Sequence, residues 1–282
     1  MNSTPFTHIP GGSIPIIENG KIIISANPNK IVSSNSTIIQ PPIIKSPIIS
    51  LSNIQKPFDV KHIHNVASKW TAQEQSLEWY KCKINPFYFI YNYVFIPEIG
   101  GILKYEKSIM NGKIKQVVRS VIRFHRCILM ASRQLGKSTI AACILEWANN
   151  FYPNARAIIL NATKDYAFEN LNKVKFIHEH LPPQLQTPLK FKGDRKTFLE
   201  YTHGAVMKVF YPSSTTSPDT LARSLTSAIL YIDEAAFIRH ISEAYGSAQP
   251  TLSRARVQAE KNMYPYFTLI TSTPNGSIGD GF

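Results

Sequence analysis

The chain has 282 residues, a formal net charge of +13 from 31 Lys and Arg against 18 Asp and Glu, and 44% apolar residues. That length can bury a substantial core as one large domain or as a domain with a tail, and the charge favours polyanions such as nucleic acid, bound in a salt-sensitive way. No apolar run approaches a membrane span, the start Met1-Asn-Ser-Thr-Pro5 lacks the regions of a signal peptide, and the three scattered cysteines form no C-x-x-C pair, so a soluble intracellular protein with neither a disulfide framework nor a zinc site is expected.

Residues 1–58 are dominated by Ile, Pro, Ser and Asn, as in Ile38-Ile-Gln-Pro-Pro-Ile-Ile-Lys-Ser-Pro-Ile-Ile49. Prolines recur there too often for a helix or a central strand, which predicts a disordered or extended N-terminal arm, or one that docks on a partner. A folded domain is expected over 59–282. Its first helix runs from Thr71 to Lys83, with charges interleaved at helical period and Asn85-Pro86 ending it. The aromatic run Phe87 to Ile96 can stack bases, but so unbroken a cluster reads better as a core-packing element feeding a sheet. Residues 102–126 form a polar, basic helical region.

Cys127 to Ala131 suits a buried, central strand, Gly136 permits a tight turn, and Ile140 to Leu145 continues as a helix with an apolar face. This is the setting of a phosphate-binding loop: free N–H groups and the positive dipole end favour phosphate, Lys137 adds a point charge, and the Ser138 hydroxyl can ligate Mg2+. Gly-Lys-Ser alone is a weak signal, and Ala131 stands where the usual pattern has its first glycine. A second, correctly positioned feature is therefore needed.

Strands at Ala155–Asn161 and Ala205–Tyr211 and a helix from Lys164 to Leu181 give an α/β alternation, hence a mainly parallel sheet flanked by helices. The second feature is Ser227-Ala-Ile-Leu-Tyr-Ile-Asp-Glu234, an apolar strand ending in two acids. Asp233 can hold a Mg2+ water shell beside Ser138, and Glu234 can polarise an attacking water. A further strand, Tyr266–Ile270, ends in the hydroxyls of Thr271, Ser272 and Thr273 at the same sheet edge. Between the two, Arg239, Arg254, Arg256 and Lys261 mark a basic helical region that either meets DNA phosphates or is solvated.

Ser132-Arg-Gln-Leu-Gly-Lys-Ser138, Leu230-Tyr-Ile-Asp-Glu-Ala-Ala-Phe-Ile238 and Ile270-Thr-Ser-Thr-Pro-Asn-Gly276 resemble, in order and spacing, the Walker A, Walker B and coupling motifs of the large terminase subunits of tailed bacteriophages, of the T-even-like type. Trp79 with Asn85 to Val94 is similar to the segment before the family's ATPase core, and Ser217-Pro-Asp219 with Arg223 to its stretch before Walker B.

The resemblance implies an α/β P-loop NTPase of the additional-strand, catalytic-glutamate type that hydrolyses ATP with Mg2+ and translocates double-stranded viral DNA into the capsid. By motif it implies that Ser132, Gln134, Leu135, Gly136, Lys137, Ser138 and Thr139 bind ATP phosphates and that Ser138 and Asp233 hold Mg2+. Glu234 becomes the catalytic carboxylate, Arg133 an arginine finger, and Thr271, Ser272 and Thr273 the coupling residues. The family's adenine-reading glutamine is matched only by Tyr105-Glu106. The implied partners are the portal protein, the small terminase subunit and further copies in a ring, in the host cytoplasm and away from membrane. A C-terminal nuclease is not expected in this chain. A helicase-like ATPase and a truncated, non-catalytic nucleotide- or DNA-binding fragment are the alternatives.

Overall fold

The computed structural model describes residues 16–18, 21–23, 60–98, 101–105, 112–132, 134–190, 197–213, 215–225 and 227–274. The chain divides into two units, Met1–Leu51 and Ser52–Phe282. In the first, β1 (Ile16–Glu18) and β2 (Lys21–Ile23) pair antiparallel with Ile17 opposite Ile22. The residues between them in sequence are Asn19-Gly20, a dipeptide suited to two-residue hairpins because both positions tolerate positive φ. The arm expected over 1–58 otherwise falls outside the described residues.

The second unit opens with three helices, α1 (Val60–Ala67), α2 (Ala72–Ile84) and α3 (Pro86–Tyr93). A capping box starts α2: Glu74 N donates to Thr71 Oγ1 at 3.2 Å and Thr71 N donates to Glu74 Oε2 at 2.8 Å. Asn85 ends α2 and caps α3, whose first turn carries Pro86. The aromatic run thus becomes a helix with Phe89, Ile90 and Tyr93 buried, and the hydroxyls of Tyr88 and Tyr93 donate to Glu78. A separate hairpin follows, β3 (Phe95–Glu98) with β4 (Gly101–Lys104), and then α4 (Gly112–Phe124). The inner side of α4 is Ile114, Val117, Val118 and Val121.

Next come β5 (Arg126–Met130), α5 (Lys137–Phe151), β6 (Arg156–Asn161), α6 (Lys164–His180), β7 (Phe198–Glu200), β8 (Val206–Phe210), α7 (Pro218–Ser224), β9 (Ile229–Asp233), α8 (Ile241–Lys261) and β10 (Phe267–Ser272). The six strands form one sheet in the order β5-β10-β9-β6-β8-β7, parallel throughout except for β7. Alternation along the strands divides the core. Ile159, Tyr231, Phe267 and Leu269 pack with α4, α5 and α6, while Leu160, Leu230, Ile232 and Ile270 pack with α7 and α8. The register aligns Asn161 with Asp233, so β6 and β9 end at one edge.

The structure corrects the expectation of a central, buried strand for β5, which pairs among the described residues only with β10 and lies at the sheet margin. Cys127 and Leu129 face the core, while Ile128 is 62% and Met130 49% exposed. Apolar residues on both faces of a short run carry no alternation to reveal this. The expectation for Arg256 is also corrected: it is 7% exposed and donates to Thr268 Oγ1, sharing the inward stripe of Leu252 and Ala259 on α8, while Arg239, Arg254 and Lys261 are exposed.

Helix α5 is buried on nearly all sides. Most of its interior polar groups are paired, as burial demands, the exception being Asn149 Oδ1. Asn150 bridges Leu185 O and Thr187 N, each at 2.8 Å. Glu146, fully buried, receives the Tyr201 hydroxyl at 2.6 Å and meets His178 Nδ1 at 2.8 Å. Burial pulls the His178 pKa down, but the charge and hydrogen bond of Glu146 outweigh it and the net shift is upward. A raised folded-state pKa gives stability that is fully present below the unfolded value, about 6.5, and is lost as pH rises through the folded value.

Two measurements check this packing. In urea titrations Phe151→Ala, which empties the site packed by Trp79 and Phe89, is expected to cost about 3–5 kcal/mol, whereas exposed Ile128→Ser changes stability by less than about 0.5 kcal/mol. The stability advantage of wild type over His178→Gln is expected to shrink as pH rises above about 6.5. An advantage constant with pH contradicts a protonated His178.

Candidate active site at the C-terminal sheet edge

The loop between β5 and α5 is shaped by two residues in the left-handed region, Gln134 at φ 63° and Gly136 at φ 74°. Gly136 is the N-cap of α5. A Cβ there would be 3.7 Å from the Tyr105 hydroxyl, ordinary contact, so the backbone angle rather than space favours glycine. Lys137 is buried and folds back over its own loop, Nζ donating to Ala131 O at 2.9 Å and Ser132 O at 3.0 Å. The loop is tied to the sheet by Ala131 N donating to Ser272 O at 3.1 Å.

Asp233, at the end of β9, gathers the neighbouring elements. Its Oδ2 accepts from Ser138 Oγ at 3.1 Å, Asn170 Nδ2 at 2.8 Å and Asn161 Nδ2 at 3.5 Å. Its Oδ1 accepts from Thr271 Oγ1 at 2.6 Å and from Glu234 N at 3.1 Å. The Tyr231 hydroxyl is 3.2 Å from Thr271 Oγ1. Since the threonine proton is committed to Asp233, the tyrosine is the donor there. Burial first, and then the negative charge of Asp233, push the Tyr231 pKa well up, so the phenol stays protonated.

Glu234 is the next residue and takes a left-handed backbone, φ 50°, a conformation costly for a non-glycine residue unless its surroundings hold it. They do: Glu234 Oε2 accepts from Thr273 Oγ1 at 2.8 Å and Thr273 N at 3.0 Å. Ser272 Oγ accepts from Ala236 N at 3.1 Å, fixing the turn after the acids. Thr271 therefore holds Asp233 and Thr273 holds Glu234.

Of the residues singled out in the sequence, Lys137, Ser138, Asp233, Glu234, Thr271, Ser272 and Thr273 come together at this edge. Ser132, Gln134 and Leu135 are exposed on the loop, and Thr139 is half-buried in the first turn of α5. Tyr105 is a core residue whose hydroxyl lies beside Gly136, and burial raises its pKa. Arg133 and Glu106 lie outside the described residues. Two contributors were missed, Asn161 and Asn170. The available signals were an Asn ending a strand at the acidic edge and a polar residue within the apolar stripe Ala167, Leu171, Val174 of α6.

The Ser138 hydroxyl and the Asp233 carboxylate are hard oxygen donors. They fit a Mg2+ ion, which takes one or two protein oxygens and completes its shell with phosphate and water. Among the described residues no group of three or more His, Cys, Asp or Glu gathers to hold a metal.

Residues 128–277 match the family model described as terminase large subunit, T4likevirus-type, N-terminal. The chain belongs to this family. The match begins within β5, runs past the end of β10, and takes in the phosphate loop, both acids and the three hydroxyls. Among solved structures, the large terminase of bacteriophage HK97 is 15% identical, with a TM-score of 0.48 over 67% of this chain and 37% of that one. The large terminase of a thermophilic bacteriophage is 15% identical at TM-score 0.43, covering 58% and 39%. A Thermus phage large terminase ATPase domain is 20% identical at TM-score 0.39, covering 61% and 72%. The chain thus spans well under half the length of the first two.

The hold of Thr273 on Glu234 is open to a double-mutant cycle. Thr273→Val is expected to lose about 1.5–3 kcal/mol in a denaturant titration, since the bond is to a carboxylate. In a Glu234→Gln background the loss shrinks by about 1 kcal/mol. Additive losses contradict the contact.

Proposed function

We propose that this chain is the ATP-hydrolysing motor part of a viral terminase that drives double-stranded DNA into a capsid. The observation carrying the reading is the junction of loop and strand ends: Ser138 Oγ on Asp233 Oδ2, with Glu234 alongside in the grip of Thr273. One hydroxyl and one carboxylate are joined where a nucleotide's phosphates meet the N-terminus of α5.

ATP phosphates bind at residues 132–139, with the N–H groups opening α5 facing them. Lys137 leaves the two loop carbonyls it now caps and donates to phosphate oxygens instead. Ser138 and Asp233 hold Mg2+, which when bound neutralises charge on the phosphate oxygens. Glu234 orients the attacking water and accepts its proton. Arg133 stabilises charge on the transferring phosphoryl group, a role resting on the family resemblance. Thr271, Ser272 and Thr273 convert a change at the two acids into movement of β10. Tyr105 and Glu106 line the adenine side. The exposed Arg239, Arg254 and Lys261 meet DNA phosphates, and ring assembly with further copies, the portal protein and the small terminase subunit takes place in the host cytoplasm.

ATP turnover with double-stranded DNA present tests the chemistry. Glu234→Gln is expected to lower it by about 10²–10⁴-fold with ATP affinity within threefold, and Arg133→Ala by about 10³-fold or more with affinity likewise spared. Well-folded wild type without turnover overturns the catalytic reading, and equal loss of turnover and affinity in Arg133→Ala assigns that residue to loop structure. Translocation of DNA into capsids distinguishes packaging from unwinding.

A further inference from the structure

Helix α6 packs on the sheet through Ala167, Asn170, Leu171, Val174 and Ile177. A carboxamide in such a stripe is costly unless bonded. Asn170, 4% exposed, spends its Nδ2 on Asp233 Oδ2 at 2.8 Å. A carboxylate only accepts, so the amide nitrogen must face it. Asn161, fully buried at the end of β6, points its Nδ2 at the same oxygen at 3.5 Å, and its Oδ1 accepts Ala162 N at 2.7 Å, which fixes the amide orientation.

The two oxygens of Asp233 are thereby made different. Oδ1 is closed by Thr271 and by the backbone of Glu234, both beside it at the strand ends. Oδ2 is the oxygen shared with Ser138, and it is aimed by amides from α6 and β6. Neutral donors aim a carboxylate without cancelling its charge, whereas a Lys or Arg in the same position would compete with a cation. The side-chain donors to Asp233 from α5, α6, β6 and β10 are all neutral.

We propose that Asn170, supported by Asn161, is a positioning residue that aims Asp233 Oδ2 at the Ser138 hydroxyl and so sets the affinity of the site for a divalent cation. The inference rests on the reading of Ser138 and Asp233 as metal-holding residues. Hydrogen-bond partners behind a metal ligand are typically worth about 10–100-fold in metal affinity. Because α6 carries the amide, a shift of α6 changes cation affinity with no change in either ligand.

The test is equilibrium binding of a fluorescent, non-hydrolysable ATP analogue to the full chain, with Mg2+ titrated from none, under EDTA, to saturation. Asn170→Ala is expected to raise the half-saturating Mg2+ concentration at least tenfold while analogue affinity in EDTA stays within twofold. Asn170→Leu keeps the side-chain volume in the stripe and is expected to do the same, so a poorly folded alanine variant does not end the test. Asn161→Ala, with the longer contact, is expected to shift Mg2+ dependence less. Equal weakening with and without Mg2+, or no change in Mg2+ dependence in well-folded variants, overturns the proposal. Asp233→Asn separates the two readings: if it retains wild-type Mg2+ dependence, the metal assignment of Asp233 itself fails, whereas its loss with intact Asn170 variants sinks only the role of Asn170.

Discussion

A single carboxylate joins the elements of this fold. Asp233 is buried at the end of β9 and draws donors from α5, α6, β6 and β10. An ionised group out of water is tolerated only when its lone pairs are filled, so each of these elements is held in register by a requirement local to one side chain. The parallel sheet makes the gathering possible, because strands running the same way deliver their last residues to one edge. Loop, acids and hydroxyls reach that edge from three separate stretches of sequence.

The second acid is held by different means. Asp233 is enclosed on both oxygens, whereas Glu234 stands half-exposed in a left-handed turn and is gripped through one residue, Thr273. The first arrangement suits a group that must not move, and the second a group that can be released. Residues at the C-terminal end of β10 thus hold both acids. A displacement of Thr271 to Thr273 is felt at two carboxylates at once.

Much of this was legible in the sequence because its signals were local. Strand-length apolar runs ending in Asp-Glu or Thr-Ser-Thr, a glycine before Lys-Ser, and a proline after Asn85 each act within a few residues, and the structure reports them nearly to the residue. What was not legible depends on neighbours distant in sequence. The marginal position of β5 depends on which strands flank β10, and Cys127 to Met130 read the same in either position. Arg256 turns inward because Thr268 is there to receive it. Asn170 in the sequence is only a polar residue within an apolar stripe, and it becomes a partner of Asp233 only when α6 is laid across β6 and β8. The short β7 and the hairpin of β3 with β4 lack both length and alternation.

Strand β5, with Ile128 and Met130 turned outward, bears on how these molecules treat one another in solution. An edge strand with apolar side chains facing water is a template for strands of other molecules. What opposes such pairing is the net charge of +13, aided by Arg126 at the start of the strand. Repulsion of that kind reaches only about 10 Å at 0.1 M salt and about 3 Å at 1 M, whereas apolar contact is not screened. The same ions that loosen a basic protein from DNA therefore also screen the charge that holds its copies apart.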